Sequence, residues 1–241
     1  MSGDGDGLPL EPTKAKAPPH GSAGHRERLR RRFLDGGADA LPDYELLELL
    51  LFQSIPRKDT KALAKKLIQA FGSFAGVISA PVEALQRFPE MGPVAAANLK
   101  VVQAAAQRLA REEVLDRPVM SSWQKVLDYC RASMAHDGIE HFRLLFLDRK
   151  NALIADEVQQ RGTVDHTPVY PREVMRRALE LGASALIMVH NHPSGDPTPS
   201  KADVDMTRHV INAGEPLGIV VHDHIVIARS GHASLRSMGL I

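Results

Sequence analysis

Two histidines separated by one residue, followed at a fixed distance by a serine and an aspartate, are the residues most able to do chemistry in this chain. His190 and His192 flank Asn191, and Ser200 and Asp203 follow after a seven-residue spacer. In an extended segment, side chains at i and i+2 point to the same side, so the two imidazoles can reach one point. Ser200 and Asp203, at i and i+3 of a helix, share a face. Two imidazoles and one carboxylate leave a coordination position open on zinc, which is a catalytic rather than a structural arrangement. A water held there can act as a nucleophile near neutral pH. Each histidine alone would be an ordinary loop residue; His190, His192 and Asp203 together, at this spacing, read as a metal-ligand set for one Zn2+ per chain.

The flanking sequence supplies the elements that must hold these residues. Residues 185–189 are apolar and rich in strand-formers, so they read as a buried strand ending at the histidines. Residues 193–199 hold three prolines and a glycine and read as a loop. A helical pattern then runs from 201 to 213, with Ser200 in the N-cap position and Gly214 as its stop.

The pattern His-x-His-x7-Ser-x-x-Asp resembles the motif of the JAMM, or MPN-type, zinc metallopeptidases, and the text from Val189 to Asp203 resembles the RadC branch of that superfamily. The resemblance extends over roughly residues 26–241. It implies a mixed α/β MPN-type, cytidine-deaminase-like fold for residues 119–241 and hydrolysis of peptide or isopeptide bonds by metal-activated water. It also implies that the Ser200 hydroxyl stabilises the oxyanion on the scissile carbonyl, a role that competes with capping its own helix. In JAMM enzymes the general base is a glutamate at the start of an early strand. Here that implies Glu140, with Glu157 as runner-up and Glu173 third. Ser194, Asp196 and Asp205 are read as non-ligands. His222 and His224 copy the His-x-His spacing without the following Ser-x-x-Asp; they read as the start of a strand, with a role behind a ligand left open. His141 alternates to the face opposite Glu140.

The 241 residues are 44% hydrophobic and 24% charged, an ordinary globular composition with room for one large or two small domains. A formal charge of +1 gives no global drive toward nucleic acid. The single cysteine, Cys130, excludes an intrachain disulfide framework and a cysteine-rich zinc site, and reads as a small buried hydrophobe. No apolar stretch approaches a membrane span, and the first residues lack the basic start and apolar core of a signal peptide, so a cytoplasmic protein without membrane partners is expected. No internal repeat is present.

Residues 1–24, rich in Gly, Pro, Lys and Ser, read as a disordered tail. Residues 25–115 read as an all-helical domain, with helices over 41–51 (Asp43 as N-cap), 60–71, 82–87 and 94–113. The basic run 25–33 reads first as the solvated face of a helix and second as a nucleic-acid patch. Residues 81–99 resemble a helix-hairpin-helix, in which a Gly-x-Gly turn offers backbone N–H groups to DNA phosphate. Gly92 fills the second glycine place, but Glu90 stands in the first, where a carboxylate repels phosphate. Residues 112–118 read as the linker. Beyond it, the pattern predicts a helix from 122 to 134 capped by Ser122, a hairpin of strands 142–147 and 152–159 about a turn at 148–151, a helix over 171–181, and final strands over 218–221 and 224–228. The fold class is therefore α+β overall. Two further readings stand beside the hydrolase: a DNA-associated repair or recombination protein acting through residues 25–115, and a non-enzymatic MPN-type scaffold. Retention of His190, His192, Ser200 and Asp203 argues against the scaffold. Neither the identity of a protein or peptide substrate nor the oligomeric state follows from these residues.

Overall fold

A long apolar run can hide in a protein only if both of its faces are covered, and residues 185–191 are covered on both. In the computed structural model, which describes residues 22–114, 118–119, 123–161 and 169–241, all seven are buried in the central strand of a five-stranded sheet. The described chain forms two compact units that divide between Lys65 and Lys66. The division falls within helix α3. Of the disordered tail expected over residues 1–24, residues 22–24 instead begin helix α1, and residues 1–21 lie outside the described residues, as do 115–117 of the expected linker and the Ser122 cap.

In the first unit, α1 (Ser22–Gly36) and α2 (Asp43–Ser54) are joined by a 3-10 turn. Leu29, Leu41 and Phe52 form a small core backed by Phe33, Leu46 and Leu49. The basic run of α1 is partly used locally. Arg26 donates to the carbonyls of Ile55 and Lys58 at 2.7 Å each, and Arg32 pairs with Glu45 at 2.8 Å. Arg28, Arg30 and Arg31 face solvent. The N-cap of α2 is Pro42 and not Asp43, which is the first helical residue.

The rest of the helical region comprises α3 (Lys61–Phe71), α4 (Phe74–Ser79), α5 (Val82–Leu85) and α6 (Pro93–Glu112). Helix α4 lies between the helices expected over 60–71 and 82–87; Ser73 nucleates it by accepting the Gly76 N–H at 3.0 Å. Leu85, Met91, Ala95, Ala96 and Leu99 are buried here, whereas Val94 and Val101 are exposed. Gly92 is the N-cap of α6.

The sheet contains β1 (His141–Leu147), β2 (Leu153–Arg161), β3 (Ala185–Asn191), β4 (Val220–Ala228) and β5 (Gly231–Ser234), in the order β2-β1-β3-β4-β5. Only β3 and β4 run parallel; the other pairs are antiparallel. Alternation divides the side chains. Leu145, Leu147, Ile187, Val189, Ile225 and Ile227 pack with α7 (Trp123–Met134). Phe142, Leu144, Phe146, Leu186 and Met188 pack with α8 (Pro171–Leu181) and α9 (Lys201–Gly214). The two strands expected over 218–228 are one strand, and β5 was not anticipated. Helix α9 ends at Gly214, which is its last residue and not a left-handed cap; the chain continues through a 3-10 turn to Gly218, whose positive φ of 66° makes the reversal.

Between the sheet and α7 lies a buried ion pair. Arg143 donates to both carboxylate oxygens of Asp156, at 2.9 and 2.7 Å, and the Tyr129 hydroxyl also donates to Asp156. Cys130 beside them is fully buried, and burial pushes its thiol up to about 12. Removing one partner of such a pair strands the other charge in a dry place. Asp156→Ala should therefore cost about 3–5 kcal/mol in urea unfolding. The double change Asp156→Leu with Arg143→Met should recover most of that loss, and an Asp156→Ala variant as stable as the parent would contradict the assignment.

Candidate metal centre

Strand alternation decides where the two histidines point. Leu186 and Met188 face α8 and α9, so His190 faces the same way, toward the helix that carries Asp203. The chain leaves the sheet after Asn191, and the 193–199 loop folds back over the strand end. Gly195, at φ 92°, makes its tight turn and donates its N–H to the His192 carbonyl at 3.1 Å. The turn between β4 and β5 holds this loop from outside: Ser230 donates its hydroxyl proton to the Gly195 carbonyl at 2.7 Å, and Arg229 reaches the carbonyls of Pro193 and Ser194.

The three expected ligands come together. His190 Nε2 lies 2.9 Å from His192 Nε2 and 3.4 Å from Asp203 Oδ1, and His192 Nε2 lies 3.8 Å from Asp203 Oδ2. Tetrahedral zinc with bonds of about 2.0–2.1 Å would separate its ligand atoms by about 3.3 Å, so these distances bracket the edges of such a site. The side chain of His190 is almost wholly buried; those of His192 and Asp203 keep 19% and 16% of their exposure, which leaves one side open.

The proton positions fit a cation. His192 Nδ1 is 2.9 Å from the Asp196 carbonyl, which can only accept, so Nδ1 carries the proton and Nε2 presents a lone pair. Asp203 Oδ2 accepts both the Ser200 backbone N–H and the Ser200 hydroxyl at 2.6 Å, leaving Oδ1 toward His190. Ser200 is thus the N-cap of α9 in a reciprocal capping box, as its position suggested. Asp196 gives no side-chain ligand; its carboxylate binds Thr198.

Other expected residues lie elsewhere. Glu157 on β2 is held by Arg177 of α8 through contacts of 2.6–3.0 Å, and β1 separates its strand from β3. Glu173 in the first turn of α8 pairs with Arg172 and Arg176. Glu140 immediately precedes β1. Phe142 pairs with His190 in register and its ring lies parallel to that imidazole, 6.1 Å away. Glu140 thus lies two residues before Phe142, just outside the paired residues of β1. Asn191, which the sequence reading passed over, pins this approach. It accepts the His141 N–H at 2.8 Å and donates to the Ile139 carbonyl at 3.0 Å.

The described chain is a helical N-terminal region followed by a mixed α/β region, and both halves match known families. Residues 120–240 match the family described as RadC-like JAB domain, and residues 22–97 match the UPF0758 N-terminal family. The chain belongs to the RadC-like JAB domain family. A UPF0758 protein of Rhodobacter capsulatus is 62% identical over 213 residues, covering 88% of this chain and 100% of that relative. The five-stranded mixed sheet is consistent with a JAB domain, and its His190, His192 and Asp203 form a candidate metal-binding group. Among the described residues, no helix is long and apolar enough to cross a membrane.

Burial pushes His190 down from the usual 6.5 to about 4, although the Asp203 carboxylate opposes it. Burial, together with the facing His190 and His192, also holds His224 well below 6.5. The unfolded chain binds protons at these residues near pH 6.5, whereas in the native state His190 resists protonation to about pH 4 and His224 is held well below 6.5. Stability from this cluster is therefore complete above pH 6.5 and lost as pH falls toward 4. Thermal melts of the metal-free protein should be nearly flat above pH 7 and fall steadily below it; a rise on acidification would contradict this.

Proposed function

We propose that this chain is a zinc-dependent hydrolase of peptide or isopeptide bonds. The observation that carries the reading is the convergence of three proton-free donors, His190 Nε2, His192 Nε2 and Asp203 Oδ1, on one partly open point at the end of β3. Zinc held there would supply Lewis acidity, polarising a carbonyl and lowering the pKa of a bound water.

The chain's own residues divide the remaining work. Glu140 takes a proton from the attacking water and returns it to the leaving amine. Ser200 donates its hydroxyl proton to the oxyanion that develops on the scissile carbonyl, giving up its bond to Asp203 Oδ2 to do so. The Ser200 backbone N–H keeps Asp203 in place meanwhile. Asn191 fixes the segment before β1 that carries Glu140.

The test combines elemental analysis with hydrolysis of fluorogenic peptide and isopeptide substrates. Wild-type protein should hold about one zinc per chain, as expected for a single catalytic site. His192→Ala and Asp203→Ala should lose it. Glu140→Gln should keep zinc and lose a factor of about 10²–10⁴ in kcat. Ser200→Ala should keep zinc and lose about 10²–10³. A wild-type chain that takes up no zinc when it is supplied would sink the reading.

A further inference from the structure

His222-x-His224 repeats the His-x-His spacing, yet neither residue belongs to the ligand set. The pairing of β3 with β4 shows what becomes of them. Leu186 pairs with Val221 and Ile187 with Asp223, so His222 is an extra residue without a partner on β3. Such bulges are rare between parallel strands, and they re-aim the side chains that follow. Without it Asp223 would stand beside Met188, and His224 would turn to the α7 face. With it, His224 pairs with Met188 and points to the face that carries His190.

There His224 stands between a ligand and helix α9. Its Nε2 is 2.7 Å from His190 Nδ1, and its Nδ1 is 2.6 Å from the Thr207 hydroxyl. The Thr207 hydroxyl is 2.5 Å from the Asp203 carbonyl oxygen. His190, Thr207 and His224 are buried, the last two fully so. The direction of the chain follows from proton counting. A carbonyl oxygen only accepts, so Thr207 spends its one proton on Asp203. Its oxygen must then accept from His224 Nδ1–H. A neutral imidazole carries one proton, so His224 Nε2 is bare and must accept from His190 Nδ1–H. His190 Nε2 is left without a proton.

We propose that Thr207 and His224 are positioning residues that hold the His190 proton on Nδ1 and keep its Nε2 free as a donor. The relay begins and ends on the ligand set, because the carbonyl that orients Thr207 belongs to Asp203. One helix turn therefore supplies a carboxylate and the reference point that sets the tautomer of an imidazole on another element. The usefulness of the relay rests on the zinc reading above; its direction does not.

The decisive measurement is a long-range ¹⁵N–¹H correlation spectrum of the imidazoles in the metal-free full-length protein, beside zinc affinity by chelator competition. His190, His192 and His224 should all carry the proton on Nδ1. Thr207→Val, nearly equal in shape, removes the hydroxyl; the His190 proton should move to Nε2 and zinc affinity should fall by about 10- to 100-fold. Thr207→Ser should restore both. A wild-type His190 protonated on Nε2 would overturn the relay even if Thr207→Val failed to fold. A folded Thr207→Val with unchanged tautomer and affinity would overturn it as well. The expected tautomers in a wild-type chain that binds no zinc would support the relay and sink the hydrolase reading instead.

Discussion

Burying an imidazole leaves its two nitrogens no water to choose from, so each must be given a partner by the fold. That constraint governs the end of β3, where His190 is almost wholly buried and His224 completely so. Each neutral ring has one proton and one lone pair, and a wrong arrangement would leave two lone pairs or two N–H groups facing each other in a dry place. The chain of contacts from the Asp203 carbonyl through Thr207 and His224 to His190 satisfies every nitrogen but one. The remaining nitrogen faces His192 and Asp203, where a cation is the partner that suits three acceptors.

The rest of the sheet exists in a form that keeps this arrangement rigid. Strand β3 is central and buried along its whole length, and both neighbouring strands contribute to the cluster. On one side β1 sets Phe142 against both rings, parallel to His190 and edge-on to His224. On the other, β4 delivers His224 by means of its bulge, and the turn beyond it clamps the 193–199 loop. Helix α9 meets the site with its first turn, where the capping box ties Asp203 to Ser200. Sites held on strands and helix ends in this way keep their geometry better than sites built on loops alone.

The opposite face of the sheet solves a different problem. Arg143 and Asp156 are buried together and both bond Tyr129, with Arg143 Nε left unpartnered among the described residues, while Cys130 lies beside them as a packed, inert thiol. The two faces thus divide the work, an ion pair and apolar packing against α7, an imidazole relay and apolar packing against α8 and α9. The 190–192 segment bridges them, since His190 faces one side and Asn191 the other, where it secures the approach to β1.

The amino-acid sequence by itself marked out the candidate ligand set, because spacing is enough to single it out when two such residues lie on one strand end and a third lies in the next helix turn. It also determined the element types over most of the described chain, since long apolar periods and Pro or Gly punctuation are local signals. Helix α4 and strand β5 escaped because they are short, and Asp43 was misplaced by one residue because Pro42 could take the cap position. Tertiary structure alone decided the company of each ligand. The role of His224 depends on a bulge one residue long, which no periodicity reveals and which turns every following side chain to the other face. The sequence ranks Glu140 ahead of Glu157 as the base, and the fold sets the two apart. They differ because β2 lies beyond β1 and carries Glu157 to Arg177, while β1 pairs directly with the strand that bears the histidines.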